Sequence, residues 1–215
     1  MPSRTVVIPQ GIDLTDEPGG TRLDLRARIG VGPRDFIALL PGGLRPVKAQ
    51  HIALAALEKL ARRGVAAHLV LAGPTLDPDY EALLRVRAGS VPYVHFVGTL
   101  AHADMGAALA ASDVVLNSSE SEGESNAILE AQWAGKLVVA RRNHGNVALI
   151  EDGADGRLFD TPDELANLLE AARLDPRAAA AVGARARERV RERADPALEA
   201  ARHMALYRAL LRCHA

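Results

Sequence analysis

The chain has 215 residues and a formal net charge of −1, with 48% hydrophobic and 25% charged residues. That balance gives no global case for binding nucleic acid or an anionic membrane, and no apolar run approaches the ~20 residues of a membrane span. Aromatics are only 3% and there is one cysteine, Cys213, so a core of Ala, Leu and Val is expected, without an internal disulfide, in a soluble cytoplasmic protein.

Residues 1–35 are the least regular. Thr5-Val6-Val7-Ile8 reads as a short strand running into a turn at Pro9-Gln10-Gly11-Ile12-Asp13, residues 16–20 as a surface loop and residues 23–29 as a short helix. From Phe36 onward, short apolar runs alternate with helical patterns. Strands are expected at 36–40, 68–72, 94–97, 114–116 and 137–140, and helices at 47–63, 79–87, 103–111 and 125–133. Runs apolar on both faces and separated by helices mark a parallel sheet covered on both sides. Right-handed crossovers then give an α/β, Rossmann-like, doubly wound sheet. A polar loop at 141–146, a short helical piece and a turn cluster at 152–156 follow, and residues 157–159 read as a small edge strand. Thr161 and Pro162 suit a helix cap and first turn. The remainder reads as two or three helices broken near Asp175-Pro176 and Asp195-Pro196. A single domain is expected, with a first-strand region (1–35), a Rossmann-like core (36–160) and carboxyl-terminal helices (161–215).

Three constellations lie where strands end, the edge at which open α/β sheets bind ligands. The first is Pro41-Gly42-Gly43-Leu44-Arg45-Pro46-Val47-Lys48. Glycines let backbone approach a ligand, a helix start offers unpaired amides to phosphate, and Lys48, in the first helical turn, adds a point charge. It is neither a P-loop nor a dinucleotide fingerprint, and a glycine turn with a surface lysine is the plain alternative. The second, Ser118 to Glu130, sets Glu122 in the loop and Glu130 about one and a half turns into the next helix, with Ser125 and Asn126 at its start. Carboxylates accept hydrogen bonds from vicinal hydroxyls, so the pair suits a sugar; no third residue stands at a spacing for a metal site. A loop glutamate and a solvated helix glutamate are the plain alternative. The third, Arg142-Asn143-His144-Gly145-Asn146, offers His144 to a sugar or phosphate, or leaves it an exposed loop histidine. His95, inside a strand, reads as structural.

Taken together, the segments Val7 to Asp13, Gly42 to Lys48, Leu71-Ala72-Gly73, Val94 to Gly98, Ser118 to Glu130, Ala134 to Ala140 and Glu151 to Phe159 resemble a known series. They look like the carboxyl-terminal, donor-binding domain of a family 4 retaining glycosyltransferase of GT-B architecture, with Gly145-Asn146 pointing to the glycosyltransferase 1 domain-containing subfamily. The resemblance implies binding of a UDP-, GDP- or ADP-sugar with no metal or other cofactor. By the same resemblance Glu130 holds the ribose, Glu122 contacts the donor sugar, Lys48 neutralises the departing diphosphate with the amides at Ser125 and Asn126, and Val97-Gly98 lie along the base. The family carries Arg directly after the first loop's glycine, where this chain has Gly43; Arg45 is the residue to fill that place. It also implies an acceptor-binding amino-terminal domain, missing here or separate. The alternatives are a non-catalytic nucleotide-sugar-binding or interaction module of the same fold, and a GT-B-like isomerase or phosphorylase half.

Overall fold

A computed structural model describes residues 5–12, 23–91 and 93–212. The expected turn residue Asp13, the loop at 16–20 and Cys213 lie outside the described residues. Six strands form one parallel sheet: β1 (Ile37–Pro41), β2 (His68–Ala72), β3 (Val94–Gly98), β4 (Val114–Asn117), β5 (Leu137–Arg141) and β6 (Arg157–Phe159), in the order β3-β2-β1-β4-β5-β6. Helices fill the crossovers: α1 (Leu25–Ile29), α2 (Gln50–Arg62), α3 (Pro78–Ala88), α4 (His102–Ala111), α5 (Asn126–Trp133) and α6 (His144–Leu149). After β6 come α7 (Pro162–Leu174), α8 (Pro176–Arg193) and α9 (Pro196–Arg212).

The sheet is apolar on both faces because its strands alternate between two cores. Ala38 and Leu40 of β1 point into one core with Leu54, Leu57, Leu84, Leu165 and Leu169 of α2, α3 and α7. Ile37 and Leu39 point into the other with Leu25, Leu109, Ile128, Leu129 and Val190 of α1, α4, α5 and α8. Such period-two burial on both sides makes the strands read as continuous hydrophobic runs. Helix starts are set locally. Asp24, Asp77, Thr161 and Asp175 each accept a hydrogen bond from a first-turn amide, three of them with proline immediately following, and each cap contributes about 1 kcal/mol.

Three expectations are corrected. Residues 5–8 form no strand: Val6 and Val7 stay exposed, and the segment pairs with neither edge strand, β3 or β6. The segment docks instead on the start of α9. Ile12 N–H donates to the Ala194 carbonyl at 2.9 Å, Gly11 N–H donates to Glu199 at 2.8 Å, and a Cβ at Gly11 would lie 2.6 Å from Pro196 Cα. Lys48 does not sit in the first turn of α2. It ends a separate 3-10 turn, Pro46–Lys48, cut off from α2 by Ala49 at φ 47°. The polar stretch at 141–146 is also shorter than expected as a loop, since the Asn143 side chain caps α6 and starts it at His144.

Candidate functional site

The order of the strands reverses direction between β1 and β4, which pair directly (Ala38 with Val114, Leu39 with Val115). The loops leaving these two strands therefore face each other across the crevice where ligands bind in such sheets. On the β1 side, Gly42 takes φ 141°, a conformation L side chains rarely adopt, and Gly73 packs so closely on the Gly42 carbonyl that a Cβ at 73 could not be accommodated. This close approach of two glycines turns the chain into the 3-10 turn and brings Lys48 to the crevice. Ser118 Oγ donates to the Lys48 carbonyl at 2.7 Å and Glu120 N–H to the Val47 carbonyl at 2.9 Å, tying the two loops together.

Across that seam Lys48 Nζ lies 2.6 Å from Glu122 Oε1, with both side chains mostly buried. Ser119 Oγ donates to the same oxygen at 2.6 Å and Asn117 Nδ2 at 3.2 Å. Burial works to raise the Glu122 pKa, but the hydrogen bonds from Lys48 and Ser119, the Lys48 charge and Asn117 together hold it below the ordinary carboxylate value. Glu122 is an anion locked to a cation.

Asn117 and Asn146 buttress that lock. Asn117 also donates to Ser125 Oγ at 3.2 Å and accepts from Ser119 N–H at 3.1 Å and Asn146 Nδ2 at 3.3 Å. Asn146 is fully buried and donates to the Arg141 carbonyl at 2.8 Å, while Asn143 Nδ2 holds the Ser119 carbonyl at 2.8 Å. Gly145, next to Asn146, touches the loop directly: a Cβ there would overlap the carbonyl oxygens of Glu122 and Gly123. The β5–α6 connection is thus the mould for the glutamate loop.

The Ser125 side chain makes no capping bond to α5. The first amides of the helix, at Asn126 and Ala127, have no intrahelical acceptor and carry the positive end of its dipole. One turn on, Glu130 is half-buried. Burial raises its pKa, opposed by the nearby charge of His102.

Two cavities meet at these residues. One, of about 410 Å³, is bordered by Pro41, Gly42, Lys48, Glu122, Ser125 and Asn126 among others. The second, of about 320 Å³, runs between α4 and α5, bordered by Ile12, His102, Met105, Leu109 and Trp133. Gln10, Met105, Asn126 and Glu130 border both, so they form one groove, polar at the Lys48 end and more apolar beyond Glu130. It has the shape for an elongated ligand with anionic, hydroxylated and flat apolar parts in sequence.

Of the residues the sequence singles out, Gly42, Lys48, Glu122, Ser125, Asn126 and Glu130 come together on this groove. Gly43, Arg45, Val97, Gly98 and His144 border neither half. The Gly43 carbonyl accepts from Gln50, and Leu76 fills the space its Cβ would need. Arg45 is exposed. Val97 is in the core with its carbonyl accepting from Arg28 at 2.6 Å, and Gly98 ends β3 at φ 68°. His144, exposed at the start of α6, borders a separate cavity of about 440 Å³ with Glu120, Ser121 and Arg142. Sequence reasoning missed Met105, His102 and Trp133, which read as ordinary helix residues. It also gave no role to Asn117, Ser119 or Asn146, although Ser119 and Asn146 lie inside its second and third constellations and Asn117 closes an apolar strand.

Residues 35–174 match the family described as glycosyl transferases group 1. Among curated proteins, the chain is 33% identical over 166 residues to a D-inositol 3-phosphate glycosyltransferase of Mycobacterium sp. (strain KMS), covering 75% of this chain and 37% of that protein. A protein of the same name from Kineococcus radiotolerans is 32% identical over 208 residues, 87% of this chain and 48% of that one. The chain thus spans less than half the length of these relatives. Among solved structures, Anabaena Alr3699/HepE in complex with UDP and glucose superposes with a TM-score of 0.83 at 28% identity, over 94% of this chain and 56% of the other. A glycosyltransferase from Rickettsia africae shares the fold, with a TM-score of 0.86 at 20% identity over 96% of this chain and 57% of its own.

Proposed function

The chain belongs to the glycosyl transferases group 1 family, and from that premise we propose that it is the nucleotide-sugar-binding half of a retaining glycosyltransferase that moves a hexosyl group from a nucleoside diphosphate sugar to an acceptor hydroxyl. The observation that carries this reading is the continuous groove, with Lys48 and the free α5 amides at its polar end and Glu130 at its junction with the apolar end. In it the diphosphate lies against Lys48 and the amides of Asn126 and Ala127. The ribose hydroxyls donate to Glu130, and the base extends between α4 and α5. The donor hexose lies at Glu122.

In the reaction the bond between the anomeric carbon and the diphosphate oxygen breaks, the diphosphate taking the electron pair, and the acceptor oxygen bonds to the same face of the sugar. The acceptor proton passes to a departing phosphate oxygen. Lys48 and the amides stabilise charge that grows as the bond breaks, which is where fixed donors contribute most to rate. The same groups neutralise the diphosphate without a metal, so chelators leave binding unchanged in this reading. The acceptor is held by a further segment, as the greater length of the relatives suggests, and the protein works in the cytoplasm. Among the described residues no helix is long and apolar enough to cross a membrane.

Calorimetry with UDP, UDP-glucose and GDP- and ADP-sugars, with and without EDTA, tests the proposal. Anabaena Alr3699/HepE has been solved with UDP-glucose, which makes the uridine series the first choice. Binding at millimolar affinity or better, unchanged by EDTA, is expected. No heat and no shift in melting temperature with any of them would refute it.

A further inference from the structure

We infer that Glu122 selects the sugar-bearing nucleotide against the bare nucleoside diphosphate, by holding the one ammonium that the diphosphate needs. The inference rests on the donor-site reading above. It starts from an asymmetry in the carboxylate: Lys48 at 2.6 Å, Ser119 at 2.6 Å and Asn117 at 3.2 Å all converge on Oε1. No described donor reaches Oε2. One oxygen is therefore spent inside the protein, and the other is left to accept from whatever lies in the groove.

The charge count sharpens the point. Glu122, Glu124 and Glu130 border the polar half of the groove, and Lys48 is the single cation among its described bordering residues. Lys48 already carries a carboxylate at salt-bridge distance. A bare diphosphate arrives with two or more negative charges, meets Glu122 as a like charge and gives Oε2 no proton to accept. A diphosphate sugar, esterified at the terminal phosphate, brings about one charge fewer at neutral pH, plus hydroxyls. Those hydroxyls donate to Oε2 and turn the same group from a repulsive neighbour into an acceptor. Glu122 thus acts with opposite sign on two ligands that differ by the sugar and by about one terminal charge, and its attachment through Ser119 and Asn117 holds it in place. After transfer, the spent nucleotide is left with the repulsion alone, which speeds its departure.

The test compares the parent protein with Glu122→Gln and Glu124→Gln, titrated with UDP and with UDP-glucose. Glutamine is isosteric and can keep Ser119 and Asn117 as neighbours; melting curves of each variant, and a second variant Glu122→Ala, guard against a folding artefact. Removing one like charge next to a diphosphate is expected to tighten UDP about three- to tenfold. Loss of the acceptor is expected to weaken UDP-glucose about tenfold. Glu124 is tied to the Gln10 amide at 2.8 Å and not to Lys48, so Glu124→Gln tightens UDP less than Glu122→Gln does. UDP binding to the Glu122 variants no tighter than to the parent overturns the inference while leaving the donor site standing, and so does equal tightening by Glu124→Gln. Absence of uridine nucleotide binding in the parent and every variant overturns both.

Discussion

Replacing Gly145 with alanine tests whether the β5–α6 connection moulds the glutamate loop. Gly145 is the second residue of α6, in ordinary helical backbone, so alanine meets no torsional objection there and on propensity alone would favour the helix. The obstacle is space. The added Cβ would overlap two carbonyl oxygens and stand 2.8 Å from the Glu122 carbonyl carbon, where ordinary contact begins at 3.4 Å. The atoms in the way are backbone, held by the Asn143 and Asn117 bonds, and cannot rotate aside. Overpacking of this kind costs about 1–3 kcal/mol, or roughly 2–10 °C of melting temperature for a chain of this size. The displaced loop also carries Glu122 away from Lys48. Gly123 is the internal control: a Cβ there meets nothing within 4 Å, so Gly123→Ala is expected within ~0.5 kcal/mol of the parent. Differential scanning fluorimetry and UDP-glucose titration of both variants check this. A Gly145→Ala protein that melts with the parent and binds the donor equally well would refute the claim that this contact shapes the site.

The two glutamates are expected to respond to pH with opposite signs. Glu122 has a lowered pKa, so it contributes stability above the ordinary value of 4.5 that is lost as pH falls; Glu122→Gln is less stable than the parent at pH 7, and the gap closes in acid. Glu130 has a raised pKa, so its favourable contribution is present below 4.5 and lost as pH rises; Glu130→Gln is more stable at pH 7 and equal in acid, at the cost of about tenfold or more in UDP affinity. Urea midpoints at pH 7 and at a series of pH values descending well below 4.5 decide both, and identical signs would refute the assignment. Lys48→Met removes the cation from the polar end of the groove, and calorimetry is expected to show UDP and UDP-glucose weakened alike by about tenfold or more; a loss confined to one of them would contradict its place at the diphosphate. Asn146→Ala leaves the Arg141 carbonyl and Asn117 Oδ1 each short of a donor, and a loss of about 1–3 kcal/mol in chemical denaturation is expected.

The sheet was legible because its strands read as apolar runs, and all six fall within one residue of the positions read from the chain. The segment at 5–8 has the composition of a strand, but a strand needs a partner, and the residues just after it, Gly11 and Ile12, bond instead to Glu199 and Ala194. Lys48 was placed in a helix because Pro46-Val47-Lys48 continues the helical pattern of α2; the break depends on one torsion at Ala49, which composition does not report. The polar end of the groove was readable since its residues occupy two short loops. Its apolar end was not. Ile12, Met105, Leu109 and Trp133 come from three separated segments, and each is indistinguishable from core until α4 and α5 are side by side. The Asn117–Asn146 bridge is hidden for the same reason, since it exists only once β4 and β5 are neighbours.

Lys48 and Glu122 stand 74 residues apart in the chain, on loops that meet only when β1 and β4 pair. β1 finds β2 through a single intervening helix, whereas reaching β4 means closing a much longer loop after β2 and β3 are in place along the chain. Closure of long loops is entropically dearer and kinetically later. Lys48 therefore waits on the first half of the sheet for a partner that arrives with the second. Ligand binding during refolding becomes a clock for that event: protein that has assembled only β1, β2 and β3 shows helix and sheet by circular dichroism yet has no site, and the first donor-binding molecules mark the moment at which the two halves of the sheet have joined.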